Sequence, residues 1–252
     1  WKKYRYDFMM SYRNGANQLF YDPFVPNEYR KWLLKNEQAE VLKEWSYQPL
    51  ISVLIPVYNV SGELLSACID SILAQSYPHF EICIADDHST NQETLATLKA
   101  YERKDDRIKV VYREENGHIS RATNSALAIA QGEFVALVDN DDMLSENALY
   151  ENVKALNRNR NLDFIYSDED KLDMQGKRQD PHFKADYSPD TLLSMNYICH
   201  LAVIRKTLIE KIGGFSVGLE GAQDYDLFLR ISEVTDQIYH IPKILYHWRM
   251  IE

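Results

Sequence analysis

The chain has 252 residues, 45% apolar and 26% charged, the proportions of a folded globular domain and not of a disordered or fibrous chain. No stretch has the apolar length of a membrane span. Lys and Arg number 28 against 38 Asp and Glu, a net charge of −10, which excludes broad affinity for nucleic acid and means that an anionic ligand needs local positive charge, such as a metal. Cys68, Cys83 and Cys199 are odd in number and far apart, so neither a disulfide framework nor a zinc knuckle is expected, and a reducing cytoplasm fits best. The chain opens at Trp1 without a signal peptide and reads as a piece of something longer.

Residues 1–48 are rich in Tyr, Trp, Lys and Arg and broken by Asp22-Pro23 and Pro26. A helix is expected over residues 27–45, with Trp32, Leu33, Val41, Leu42 and Trp45 as its apolar side. This segment reads as an extension or linker, and residues 49–252 as the main domain.

From Pro49 onward, short β-branched runs alternate with helical periods, the pattern of an α/β sheet flanked by helices. Residues 50–56 are the first strand; Ser61 then caps a helix carrying Leu64, Leu65, Cys68, Ile69, Ile72 and Leu73. Residues 80–85 form a second strand, after which Thr90 and Glu93 are spaced as a capping box. A third strand spans 108–112, and Ile119, Ala122, Ala126, Ile129 and Ala130 mark a helix. The strand at 133–138 runs into Asp139-Asn140-Asp141-Asp142, and Ser145 is expected to cap the next helix. Further strands are expected at 162–166 and 197–204, with two short ones in 238–248.

Ligands of open α/β sheets bind beyond the carboxyl ends of the strands. Three polar groups fall there: Tyr58-Asn59, Asp86-Asp87 and the run from Asp139 to Asp142. Any one alone reads as a cap or turn; their placement along one edge points to a site. No G-x-G-x-x-G follows the first strand and no P-loop or G-x-S-x-G elbow occurs, so phosphate must be held by another device and serine hydrolysis has no support. Asp139 and Asp141 can bring oxygen ligands toward one hard cation, Mn²⁺ or Mg²⁺, which would neutralise a diphosphate leaving group. A lone D-x-D reads more readily as a solvated turn than as a metal site.

The segments Ile51-Ser-Val-Leu-Ile-Pro-Val-Tyr-Asn59, Ala85-Asp-Asp-His-Ser-Thr90 and Leu137-Val-Asp-Asn-Asp-Asp142 resemble the family 2 glycosyltransferases in identity, order and spacing. The likeness continues through Tyr166-Ser-Asp-Glu-Asp-Lys171, Asn196-Tyr-Ile-Cys-His200, Gly213-Gly-Phe215, Glu220-Gly-Ala-Gln-Asp-Tyr-Asp226 and Leu245-Tyr-His-Trp-Arg249. It spans nearly everything from Pro49 to Arg249, and the late motifs look like the bacterial branch that builds cell-surface polysaccharide. The resemblance implies a GT-A fold: a single mixed, mostly parallel sheet with a Rossmann-like nucleotide-binding half.

The resemblance also implies roles. Pro56, Tyr58 and Asn59 would border the base, Asp86 would accept from uracil or thymine N3–H, and Asp139 would lie near the ribose. Asp141 and His247 would be metal ligands. Asp224 keeps the position of the general base, with Gln223 where the family more often has an acid. A cap of the following helix is the structural alternative for Asp224. His200 in an alternating strand, Arg121 near the Asn116-Gly117 turn, Asp168, Glu169 and Arg249 are candidate donor or acceptor contacts, each with a structural alternative. The expected activity is metal-dependent, inverting sugar transfer from a nucleotide-diphosphate donor, a UDP-sugar favoured, to a bacterial surface glycan or lipid-linked precursor, in the cytoplasm or peripherally at the inner face of the membrane. The alternatives are a dTDP-rhamnose-dependent rhamnosyltransferase, a non-catalytic glycan- or partner-binding module on the same scaffold, and a Ca²⁺-binding structural domain.

Overall fold

The computed structural model describes residues 28–37 and 43–251. After helix α1 (Glu28–Asn36), strand β1 (Ile51–Val57) leads to α2 (Gly62–Leu73), β2 (Phe80–Asp86) to α3 (Gln92–Lys104), and β3 (Ile108–Tyr112) to α4 (His118–Ile129). Next come β4 (Phe134–Leu137), β5 (Met143–Leu144), α5 (Ala148–Arg158), β6 (Phe164–Leu172) and β7 (Arg178–His182). The chain closes with α6 (Pro189–Ser194), β8 (Ala202–Arg205), α7 (Lys206–Lys211), α8 (Gln223–Ser232) and β9 (Ile238–Arg249).

Among the described residues nine strands make one sheet, ordered β3-β2-β1-β4-β8-β6-β9-β5, with β7 added beside β6. The first four are parallel, with Ile51 opposite both Phe80 and Phe134. At β8 the direction reverses, Phe134 facing Arg205, and β6 and β9 then run parallel to each other. The sheet is therefore mixed, as expected. β1 and β2 are buried along their whole length because both faces are covered, which is why they read as continuous apolar runs. Ile51, Val53, Ile55 and Val57 pack with α2, α3 and α5 on one face; Leu54, Cys83, Ala85 and Leu137 pack with α4, α6, α7 and α8 on the other.

The expected elements hold for the first half of the chain, where each is a local strand–helix unit. Ser61 caps α2 by accepting from the Leu64 N–H at 3.3 Å. The expected capping box at Thr90 is corrected: the cap of α3 is Asn91, which accepts from the Glu93 N–H, because the Thr90 N–H is taken by Asn59 Oδ1. Ser145 does not cap α5 through its side chain; its hydroxyl donates to the Ile244 carbonyl at 2.9 Å. The strand expected at 197–204 is only Ala202–Arg205, so His200 lies in an irregular loop. One strand, β9, replaces the two expected at the end. Of the helix expected over 27–45, only Glu28–Asn36 is helical among the described residues; Val41 and Leu42 lie outside them. α1 buries Tyr29 against Ile244, with Trp32 and Leu33 beside it. No helix among the described residues is long and apolar enough to cross a membrane.

What holds the irregular loop is a lysine with no exposure to speak of. Lys184, 1% exposed, donates to Glu169 Oε2 at 3.0 Å, to the Ile198 carbonyl at 2.5 Å and to the His200 carbonyl. Three acceptors saturate its three donors, the condition under which an ammonium can be buried. Lys184→Met removes the ammonium and leaves Glu169 buried without its main partner, so urea unfolding of the variant should show a loss of about 3–5 kcal/mol. A loss below about 1 kcal/mol, the range of exposed pairs, would deny the lysine this supporting role.

Candidate active site

The parallel register brings the ends of β1, β2 and β4 to one edge, as the topology of open sheets requires. Asp86 closes β2 and is 2% exposed. Its Oδ2 accepts from the Ser89 N–H at 3.2 Å, whereas Oδ1 is buried with no partner among the described residues. A buried acceptor left bare is costly, and it marks a place for a ligand donor. Asn59 is committed to the protein: its Oδ1 accepts from the Thr90 and Asn91 N–H groups at 2.8 and 2.9 Å, knotting the end of β1 to the β2–α3 loop. Asn140 donates to the Pro56 carbonyl at 2.7 Å. Asp87 accepts from Arg113 Nε at 2.7 Å and from the Gly117 N–H at 3.0 Å, fixing the turn before α4. Pro56, Tyr58, Asp87, Asn116, Ile119 and Asn140 wall a cleft of about 420 Å³.

The acidic turn follows β4. Asp142, with no exposed surface, accepts from the Tyr246 hydroxyl at 2.5 Å and from the Arg249 N–H at 2.7 Å. Arg249 also donates from Nε to the Asp141 carbonyl at 2.8 Å, so its place is in building the turn. Burial first, then the nearby Asp139 and Asp141 charges, push the Asp142 carboxyl up to about 8 against the bond from Tyr246. Burial and Asp139 likewise raise Asp141 above the usual carboxylate range.

His200 reaches this turn from its loop. Its ring stacks on Tyr246 with centroids 4.6 Å apart, Nε2 lies 3.5 Å from Asp139 Oδ2, and Nδ1 is buried without a partner among the described residues. Asp139, Asp142 and His200 each offer one ligand atom, all within 4.8 Å of one another. Two carboxylate oxygens, an imidazole nitrogen and crowded negative charge fit a divalent cation of the Mn²⁺ or Mg²⁺ kind.

His247 does not join this group. It alternates with Tyr246 along β9 and so leaves on the other face. There its Nδ1 lies 2.6 Å from Asp170 and its Nε2 3.2 Å from Ser145 Oγ. Both ring nitrogens are engaged within the protein.

The base candidate comes from the other side. Gly213 and Gly214 take φ of 86° and 77°, a left-handed turn that glycine adopts without strain. Asn124 clamps its exit, accepting from the Phe215 N–H and donating to the Phe215 carbonyl, both at 2.9 Å. α8 then begins with Gln223, its N-cap being Ala222, so Asp224 sits in the first turn and does not cap. Asp224 Oδ2 accepts from Asn196 Nδ2 at 2.9 Å and Oδ1 from the Tyr225 N–H at 2.8 Å. Asp139, Cys199, His200, Phe215, Gln223 and Asp224 line a second cleft of about 200 Å³, which shares Pro56 and Ile119 with the first.

Three expected contacts are elsewhere. Asp168 is buried, accepting from the Lys184 N–H at 2.8 Å and meeting His240 Nε2 at 2.9 Å. Glu169 accepts from Lys184 and, at 3.2 Å, from the His200 N–H. Burial opposes its ionisation, but the Lys184 ammonium overrides it and holds the carboxyl down at about 2. Neither carboxylate lines either of these clefts; both support the loop from behind. Arg121 is exposed on the first turn of α4 and lines neither cleft. Sequence reasoning missed Lys184, Asn196 and Tyr246. The last two lie inside motifs already singled out; Lys184 carries no local signal.

Residues 52–213 match the family model described as Glycosyl transferase family 2. The chain belongs to this family. Relatives of this family 2 chain include the uncharacterized protein y4gI of Sinorhizobium fredii, 46% identical over 218 residues, which cover 86% of this chain and 24% of the relative. The O-antigen biosynthesis protein RfbC of Myxococcus xanthus is 38% identical over 228 residues, 88% of this chain and 18% of the relative. The chain thus spans a quarter or less of the length of these two. Among solved structures, S. aureus TarS 1-349 superposes with a TM-score of 0.65 at 26% identity, covering 79% of this chain and 60% of TarS 1-349. TarS 1-349 has also been solved in complex with UDP-GlcNAc. The curled mixed sheet is the GT-A fold expected from the sequence.

The buried acid of this glycosyltransferase turn should be visible in stability. Asp142 binds its proton up to about pH 8 in the folded chain but only to about pH 4 when unfolded, so it lowers parental stability progressively across that window. Asp142→Asn keeps a neutral group there. With chelator present, the urea midpoint of the variant should gain on the parent from about pH 4 to about pH 8 and level off above. A pH-independent difference would show that Asp142 titrates normally.

Proposed function

We propose that this domain transfers a sugar, with inversion, from a nucleotide-diphosphate donor, a UDP-sugar favoured, to a glycan or lipid-linked acceptor in bacterial surface polysaccharide synthesis at the cytoplasmic side of the membrane. The observation that carries the proposal is the meeting of Asp139, His200 and Asp224 around one small cleft, which shares Pro56 and Ile119 with a larger one beside the strand ends, with Asp142 in ligand reach of Asp139 and His200. The UDP-GlcNAc complex of TarS and the O-antigen role named for RfbC support the donor and product class.

In this proposal Pro56 and Tyr58 flank the base and the bare Asp86 Oδ1 accepts its N3–H. That oxygen accepts from thymine as readily as from uracil, which keeps a dTDP-sugar as the second donor. Asp139, Asp142 and His200, with Asp141 beside them, would hold Mn²⁺ or Mg²⁺. The ion would supply the positive charge that stabilises the departing diphosphate. Asp224 accepts the proton of the acceptor hydroxyl as its oxygen bonds to the anomeric carbon and the bond to the diphosphate breaks. Its two hydrogen bonds occupy about half of a carboxylate's lone-pair sites and leave the rest for that proton.

Calorimetry with UDP and Mn²⁺ separates the two histidines. Asp139→Ala and His200→Ala should abolish Mn²⁺-dependent binding, while His247→Ala should lower the melting temperature and keep it. Retained binding in His200→Ala would overturn the ligand set. For the base, Asp224→Asn preserves shape and should cut sugar transfer by about a hundredfold or more, with UDP affinity and melting temperature unchanged. Parental transfer by this variant would place the base elsewhere.

A further inference from the structure

Asp224 is a short side chain at the start of a helix, and nothing in α8 itself fixes the plane of its carboxylate beyond one bond to the adjacent Tyr225 N–H. The second bond comes from a different part of the fold, the half-buried Asn196 in the loop between α6 and β8. The orientation of that amide is set from its other end, where Oδ1 accepts from the Cys199 N–H at 3.3 Å, so Nδ2 is the end presented to Asp224. Cys199 is followed by His200, whose N–H and carbonyl are taken by Glu169 and Lys184. A rigid path therefore runs from the buried Glu169–Lys184 pair through the loop to Asn196 and onto Asp224.

We propose that Asn196 is the positioning residue of the base: it fixes the Asp224 carboxylate relative to His200, so that proton acceptance and departure of the diphosphate occur in one geometry. The inference rests on the reading of Asp224 as the base. Its physical content is that an amide donor orients a carboxylate without neutralising it, which a lysine or arginine in that position would do. The same side chain ties the base to the loop that carries His200, and small displacements of a reacting group are expensive in rate. Asn196 touches no reacting atom, so its effect should vanish when Asp224 can no longer act.

The test is a double-mutant cycle on the full chain, reading UDP release from a panel of UDP-sugars with Mn²⁺, where water takes the place of the acceptor hydroxyl, alongside UDP affinity by calorimetry. Asn196→Asp keeps the acceptor for the Cys199 N–H, loses the donor to Asp224 and sets a second negative charge beside it; Asn196→Ala loses both bonds without adding charge. Each should lower turnover about tenfold or more with UDP affinity unchanged, and neither should lower it further when Asp224 is already Asn. Parental turnover in Asn196→Asp would show that the residue only holds the loop, and overturns the inference. So would an equal loss from Asn196→Ala in the parental and Asp224→Asn backgrounds. Parental turnover in Asp224→Asn, in contrast, would overturn the base reading itself.

Discussion

A buried ammonium that has only three possible partners decides the geometry of this site. Lys184 could not remain charged in the interior without Glu169 and the carbonyls of Ile198 and His200. The converse holds for the loop: its backbone follows neither helix nor strand, so its carbonyls need partners that only a side chain can supply. With Glu169 receiving the His200 N–H, the histidine is gripped through its backbone on both sides. Its ring is left to lie on Tyr246 and face the acidic turn. The placement of His200 is a consequence of charge burial directly behind its own backbone.

The three consecutive acids of β6 show how such anchoring is distributed. Alternation sends Asp168 and Asp170 to one side and Glu169 to the other, and each finds its own partners. Asp168 meets His240 and the Lys184 N–H. Asp170 meets His247, Arg178 and the Tyr29 hydroxyl. Arg178 reaches on to Glu37 at 2.6 Å, so α1 and the residue that follows it are bonded to the strands that support the site. In a chain with net charge −10, Asp139, Asp141 and Asp142 are left crowded at one turn, where burial and their mutual charge raise Asp141 and Asp142 above the usual carboxylate range.

The order of strands and helices up to β4 was legible because β1, β2 and β4 are buried on both faces and each helix shows its own apolar period. The strand-end groups were legible for the same reason, since parallel register leaves no other place for them. The second half was not. A strand is expected over 197–204 because the apolar residues alternate, but Tyr197 and Ile198 are buried by packing against α6 and α8 residues, with no ladder to pair them. The placement of His247 away from the acidic turn and of His200 beside it has a similar cause. Both stand beside motif residues, and only the register of β9, with Met143 opposite His247, decides which imidazole faces the turn. Asn91 displaced Thr90 as a cap through a bond to Asn59, which lies 31 residues away. What sequence could not supply was in every case a partner distant along the chain.

Gln223 illustrates the opposite case, a departure from pattern that the local geometry absorbs. Its Oε1 accepts from the Gly221 N–H at 2.7 Å, across a turn in which Gly221 takes φ of 91°. A glutamate oxygen could accept that bond equally, so the turn before α8 does not need an acid. What an acid would add is a second negative charge one residue from Asp224, in a cleft that already holds Asp139. Like charges at such range oppose one another most where water is scarce. With the amide, the turn is closed and Asp224 remains the carboxylate that lines the cleft from α8, oriented by an asparagine that also carries no charge. The Asp224 end of the proposed site is thus built from neutral donors and the turn at its other end from crowded acids, which on the proposed reading keeps the demand for a cation at the acidic turn.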